Sequence, residues 1–134
     1  MKKDIEQPRV EGVSMAVLRE PDPDGEQAWY VYLINEKDVA LENVLVSSRG
    51  FGEIDGEQRA TSEMRHHLGR LGPKSWARIE RIVEEVFPLS NQYWLSFYVG
   101  GVIYDRRYIF LAGSIDEANF TRLPLMNTRG VLIQ

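Results

Sequence analysis

The sequence predicts a mainly β protein: an immunoglobulin-like, two-sheet antiparallel β-sandwich with at most a short helix, formed by residues 1–134 as a single domain. Three observations carry this. About seven or eight short runs are rich in aromatic and β-branched residues, as strands are. Turn signals such as Pro-Asp-Gly, Gly-Pro and Gly-Gly separate these runs at sandwich spacing. A chain of 134 residues with 43% hydrophobic content can bury a core unaided, and it has no cysteine to staple one.

The first strand is read at Val10–Glu20, VEGVSMAVLRE, and stops at PDPDGE, where Pro presets φ and Gly accepts positive φ. Trp29–Asn35, WYVYLIN, is apolar on both faces and reads as a buried central strand. Glu36–Asp38 turn the chain, and Leu41–Ser48 follows with Val44 and Val46 on one face, giving an expected hairpin. Arg49–Gln58 contains three glycines and reads as a loop with Phe51 at its tip, where it is a contact residue or folds back on the sandwich.

Lys74–Val86 fits two periods. As a helix it gathers Trp76, Ile79, Val83 and Val86 on one face behind Pro73. As a strand it alternates Ala77, Ile79, Arg81 and Val83 with Trp76, Arg78, Glu80 and Ile82. Periodicity slightly favours the helix, neighbouring strands favour a strand, and the strand is the expectation. Gln92–Gly100 and Gly101–Leu111 meet at Gly-Gly, a hairpin signal. Ser114–Phe120 suits one helical turn capped by Ser114 and Glu117. GVLIQ closes the chain as a strand. Trp29, Leu33, Trp94, Phe97 and Phe110 are the expected core anchors.

Charge and composition restrict function. A net charge of −4 argues against general nucleic-acid binding, although Arg49, Arg59, Arg65, Arg70, Lys74, Arg78 and Arg81 make the middle mildly basic. The lack of cysteine removes disulfides, thiolate metal sites and cysteine nucleophiles, and fits the cytoplasm. The lysines at the N-terminus precede no apolar run, so no secretory signal is expected. No stretch has the length of a membrane span, and no membrane partner is expected.

His66 and His67 are the only histidines. Neighbours on a strand point to opposite faces, so the two rings do not converge on one ion. The inward ring is expected to bond a backbone carbonyl and the other to face solvent beside Arg65 or Arg70. No metal, cofactor or catalytic residue is expected. Asp22, Asp24 and Glu26 alternate, but Gly25 comes too early for a calcium loop, and turn chemistry accounts for the stretch. Ser48–Gly56 lacks the Gly-Lys-Ser/Thr of a phosphate loop. Tyr104, Arg106 and Tyr108 share one strand face, and Tyr and Arg are enriched in interface hot spots. Together with Phe51, Arg65 and His67 they form the expected binding set.

The stretches VYLINEKDVALENVLVSSRGFG, TSEMRHHLGRLGPKSWARIERI and LMNTRGVLIQ resemble a family of small uncharacterised proteins, chiefly from the Bacteroidetes. The resemblance covers nearly the whole chain. It implies a stand-alone domain with no assigned activity and no catalytic residue to carry over. Members are sometimes labelled phenylalanyl-tRNA synthetase alpha subunit, which would imply a translation-linked role. Arg78-Ile79-Glu80 matches the Arg-x-Glu of the second class II synthetase motif, but Ala77 stands where that motif has an aromatic residue, and the chain is far shorter than a class II core. More loosely, N-x-x-D-x-x-L-x-x-V-x-V followed by L-x-P-x-S-x-x-x-I is similar to immunoglobulin-like binding modules.

The leading expectation is therefore a non-enzymatic module that binds a protein partner or assembles with itself. The alternatives are a small metal-binding protein or enzyme using His66 or His67 with a carboxylate, and the translation-linked role the label implies.

Overall fold

The computed structural model describes residues 8–134, so the reading of the N-terminal lysines lies outside the described residues. The strands are β1 (Val13–Pro21), β2 (Gln27–Asn35), β3 (Leu41–Ile54), β4 (Glu57–Ala60), β5 (Met64–Leu71), β6 (Ser75–Ile82), β7 (Ser90–Val99), β8 (Val102–Phe110), β9 (Thr121–Arg122) and β10 (Arg129–Ile133). They form two antiparallel sheets packed face to face. The first has the order β6-β2-β1-β10-β9. In the second, β4 and β5 follow one another along one side of β3, and β7 and β8 lie on the other. With β1, β2 and β6 in one sheet and β5, β3, β7 and β8 in the other, the strands form a two-sheet antiparallel β-sandwich. Strands β10 and β9 extend the first sheet beyond β1.

Between the sheets, Met15, Val17, Val31 and Leu33 of the first meet Val44, Val46, Leu95 and Phe97 of the second, all buried. Trp29 packs edge-on against Phe87 and Phe120. Two hairpins follow their turn chemistry. Asp22 Oδ1 accepts from the amides of Asp24 (2.9 Å) and Glu26 (3.0 Å), which explains the acidic turn. Gly100 and Gly101 both have positive φ, as a two-residue type I′ turn requires.

Four expectations need correction. Trp29–Asn35 and Leu41–Ser48 do not form a hairpin: β2 and β3 lie in different sheets. Residues 36–40 cross between them, and so does the β5–β6 connection. The buried Asn35 side chain ties both crossings, donating to the carbonyls of Val39 and Gly72 at 2.9 Å each. Next, Arg49–Gln58 is not a loop. Strand β3 runs on to Ile54, turns at Asp55-Gly56 and returns as β4. Phe51 is thus a half-buried strand residue under Arg49 rather than a loop tip. Third, Trp94 is not a core anchor: it lies on the outer side of β7 and is 41% exposed. Fourth, the turn after β8 is capped by Asp116, whose carboxylate accepts from the Ala118 amide at 2.8 Å, and not by Ser114.

Lys74–Val86 contains β6, followed by a 3-10 turn at Glu84–Val86. The ambiguity of its period has a structural cause. β6 pairs with β2 through a bulge at Ile79: Arg78 faces Tyr32, and Glu80 faces the adjacent Val31. The extra residue inverts the alternation, so both Ile79 and Ile82 enter the core at a spacing of three. That spacing imitates a helix. The same inversion turns Glu80 inward.

Candidate functional site

The inverted register of β6 places a polar cluster in a cleft at one open side of the sandwich. Glu80 points from the first sheet toward the second, where three donors meet it. Ser48 of β3 donates to Oε1 at 3.0 Å, His66 Nε2 of β5 contacts the same oxygen at 2.7 Å, and the Tyr93 hydroxyl of β7 donates to Oε2 at 2.7 Å. As the acceptor is a carboxylate, Nε2 carries the ring proton. Each sequence position follows from register. Val46 is a buried core residue and His66 is its partner across the ladder, so His66 faces inward. The expected backbone carbonyl is therefore replaced by a side-chain carboxylate from the next strand, β6, in the facing sheet. Burial pushes the Tyr93 phenol upward, and the Glu80 charge adds to this.

The cleft has a volume of about 360 Å3 and is lined by Ser48, Thr61, Met64, His66, Glu80 and Tyr93, among others. Its chemistry is that of a carboxylate-oriented imidazole. Among the described residues no group of three or more His, Asp or Glu is placed to hold a metal ion. His67 and Arg65 lie opposite Leu45 and Ser47, point away from the core and are exposed. Arg65 pairs with Glu63 at 3.3 Å.

The stripe of Tyr104, Arg106 and Tyr108 does share a face, but it is the inner one. Tyr108 is fully buried and its hydroxyl donates to the Val13 carbonyl at 2.6 Å. Burial raises this phenol to about 12. Tyr104 stacks on Phe97 with ring centroids 5.3 Å apart. Arg106 lies 4.2 Å over the Tyr108 ring and donates to the Gln134 carbonyl. As a set, these residues stitch β8 to the core and do not form an exposed stripe.

The exposed face of the second sheet is the complementary one. Arg65, Ser47, Trp94 and Arg107 form one row across four strands, and His67, Leu45, Ser96 and Asp105 form the next. The Arg107 guanidinium sits 4.3 Å over the Trp94 ring. An open groove of about 660 Å3 runs here, lined by Arg49, Arg65, Trp94, Ser96, Asp105 and Arg107 among others. Of the expected binding set, only Arg65 and His67 belong to this face as exposed residues; Trp94, Asp105 and Arg107 were missed. The signal was available in Gln92–Tyr98: Gln92 and Ser96 share parity with Trp94, while Tyr93, Leu95 and Phe97 hold the apolar positions.

The chain matches no family model, no curated protein and no solved structure. Among the described residues no helix is long and apolar enough to cross a membrane.

Proposed function

We propose that this protein is a non-enzymatic β-sandwich module that binds protein chains, a partner or a second copy of itself, through the outer side of its second sheet. One observation carries the reading: Trp94, on the central strand β7, is 41% exposed and stacked by Arg107 instead of being covered by protein. Trp and Arg are enriched among the residues that dominate the energetics of protein interfaces, Trp through its large rigid ring and Arg through a planar guanidinium that stacks and donates several hydrogen bonds. Asp105 and Glu63 beside Arg49, Arg65 and Arg107 give the groove both signs of charge, which suits a mixed-charge protein surface.

The test compares wild type with Trp94→Ala, both checked for folding by circular dichroism. Proteins retained from a source-cell extract are identified, and self-association is measured by native mass spectrometry. Selective loss of a retained protein, or of a dimer, in the variant supports the reading. Identical retained sets together with a monomeric wild type overturn it.

The His66–Glu80 contact favours a second reading, a small metal-binding protein or enzyme in which His66 acts with Glu80. Equilibrium dialysis against zinc tests the metal form: stoichiometric uptake lost in His66→Ala supports it, and no uptake by wild type removes it.

A further inference from the structure

Strand edges are templates for pairing, and proteins blunt them by shortening, bulging or interrupting them. Among the described residues the two sheets have four edges, and three of them are blunted. Strand β9 has two residues. Strand β6 carries the bulge at Ile79. Strands β4 and β5 are separated by residues 61–63, and β5 pairs with β3 irregularly near Val44. The fourth edge, β8, differs. It runs nine residues, pairs with β7 without a register shift, and has no strand on its other side among the described residues. Val102 and Ile103, 47% and 51% exposed, and Ile109 and Leu111 leave apolar surface along it.

The tight turn fixes which peptide groups are free. Val99 and Val102 flank the two-residue Gly-Gly loop and form the first hydrogen-bonded pair. Alternation then directs the N–H and C=O groups of Tyr104, Arg106 and Tyr108 to β7. Those of Ile103, Asp105, Arg107 and Ile109 point to the empty side, and the side chains of the same four residues lie on the exposed face.

We infer that β8 pairs antiparallel with β8 of a second copy, with Arg106 on the two-fold axis. In this register Asp105 lies opposite the partner's Arg107, and Ile103 lies opposite the partner's Ile109. Every outward peptide group of the four residues then has a partner, and the side chains across the junction are complementary in charge and polarity. Sliding by two residues sets Asp105 against the partner's Asp105, or Arg107 against the partner's Arg107, so charge selects the register. Arg106 does not oppose its counterpart freely, because its guanidinium is drawn onto its own Tyr108 ring and Gln134 carbonyl. The two second sheets become one continuous sheet, and the two Trp94 faces become one surface. This inference rests on the self-assembling half of the proposed function.

Sedimentation velocity from about 1 µM to about 1 mM covers the range of a small, edge-paired interface. Wild type is expected to form a dimer. Asp105→Arg should weaken it roughly tenfold to a hundredfold, by losing two attractive pairs and creating two repulsive ones. The double change Asp105→Arg with Arg107→Asp should restore it to within about threefold, because the pairs reform with signs exchanged. Ile103→Lys, at an exposed position, is the second variant and should also dissociate the dimer. A wild type that stays monomeric throughout overturns the inference, while partner retention still decides the broader reading. A dimer insensitive to Asp105→Arg and Ile103→Lys but lost in Trp94→Ala also overturns it and leaves that reading standing.

Discussion

The two outer faces of this sandwich start from the same alternation and end in opposite states. On the first sheet, Ala16, Leu18, Tyr30, Tyr32 and Ile34 point outward, yet all are buried. Leu123 packs against them from the β9–β10 side, with Met126 partly buried beside it. Arg78 lies 3.9 Å over the Tyr30 ring and joins Tyr32 and Glu20 by hydrogen bonds of 3.2 and 3.0 Å. On the second sheet, Trp94, Tyr98, Ile103 and Ile109 point outward and stay exposed. An aromatic residue on the outer side of a strand is therefore not by itself a binding residue. What separates the two faces is whether another part of the chain returns to cover them, and only the first sheet carries the additional strands β9 and β10.

The comparison is broken most strongly at Leu18. Its side chain is 2% exposed, so Leu18→Ala should cost about 2–5 kcal/mol in urea unfolding, as for a core residue. A cost near that of a surface change would show that the first outer face is not closed.

A smaller effect probes the layer beneath the open face. Tyr108 keeps its proton in the folded state up to about pH 12, whereas the unfolded chain releases it near the ordinary phenol value of about 10. Above that value the unfolded state binds fewer protons than the folded one. Stability is then complete below about pH 10 and falls by on the order of 2 kcal/mol as pH rises toward 12. Tyr93 acts in the same direction. The fall in stability with pH, followed by unfolding curves taken about one pH unit apart from about pH 8 to about pH 12, should be less steep in Tyr108→Phe. An unchanged slope would place the alkaline loss elsewhere.

Arg78→Ala removes part of the cover on the first face while leaving the Tyr32 hydroxyl bonded to Glu20. About 1 kcal/mol is expected from the lost stacking and hydrogen bonds of a half-exposed cation, measured by the same unfolding experiment. The smallest effect belongs to the open face. Arg65→Ala and His67→Ala, both at exposed positions, should change stability by less than about 0.5 kcal/mol. A larger loss in either would mean that the second face is structural as well.

The candidate cleft was half legible in the sequence. The adjacent pair His66-His67 required one ring to face inward and one outward, and parity with Val46 selects His66. Its partner was hidden. Glu80 reads as the polar neighbour of Ile79 on either a helix or a regular strand, and nothing local announces the bulge that reverses it. The Tyr104, Arg106 and Tyr108 stripe failed for a related reason. Its shared face was readable from alternation, but alternation does not say which of two faces is inside when both carry aromatic residues.

The class of structure is written locally: strand-forming runs, turns fixed by Pro, Asp and Gly, a central strand apolar on both sides, and a Gly-Gly hairpin. These are local properties, set by backbone sterics and by the two-residue period of a strand. Tertiary structure alone decided that β2 and β3 belong to different sheets, that a bulge delivers Glu80 to His66, and that one outer face is covered while the other is open. Each of these depends on segments distant in the chain meeting in space. Burial and pairing there are collective, and no window of neighbouring residues contains them.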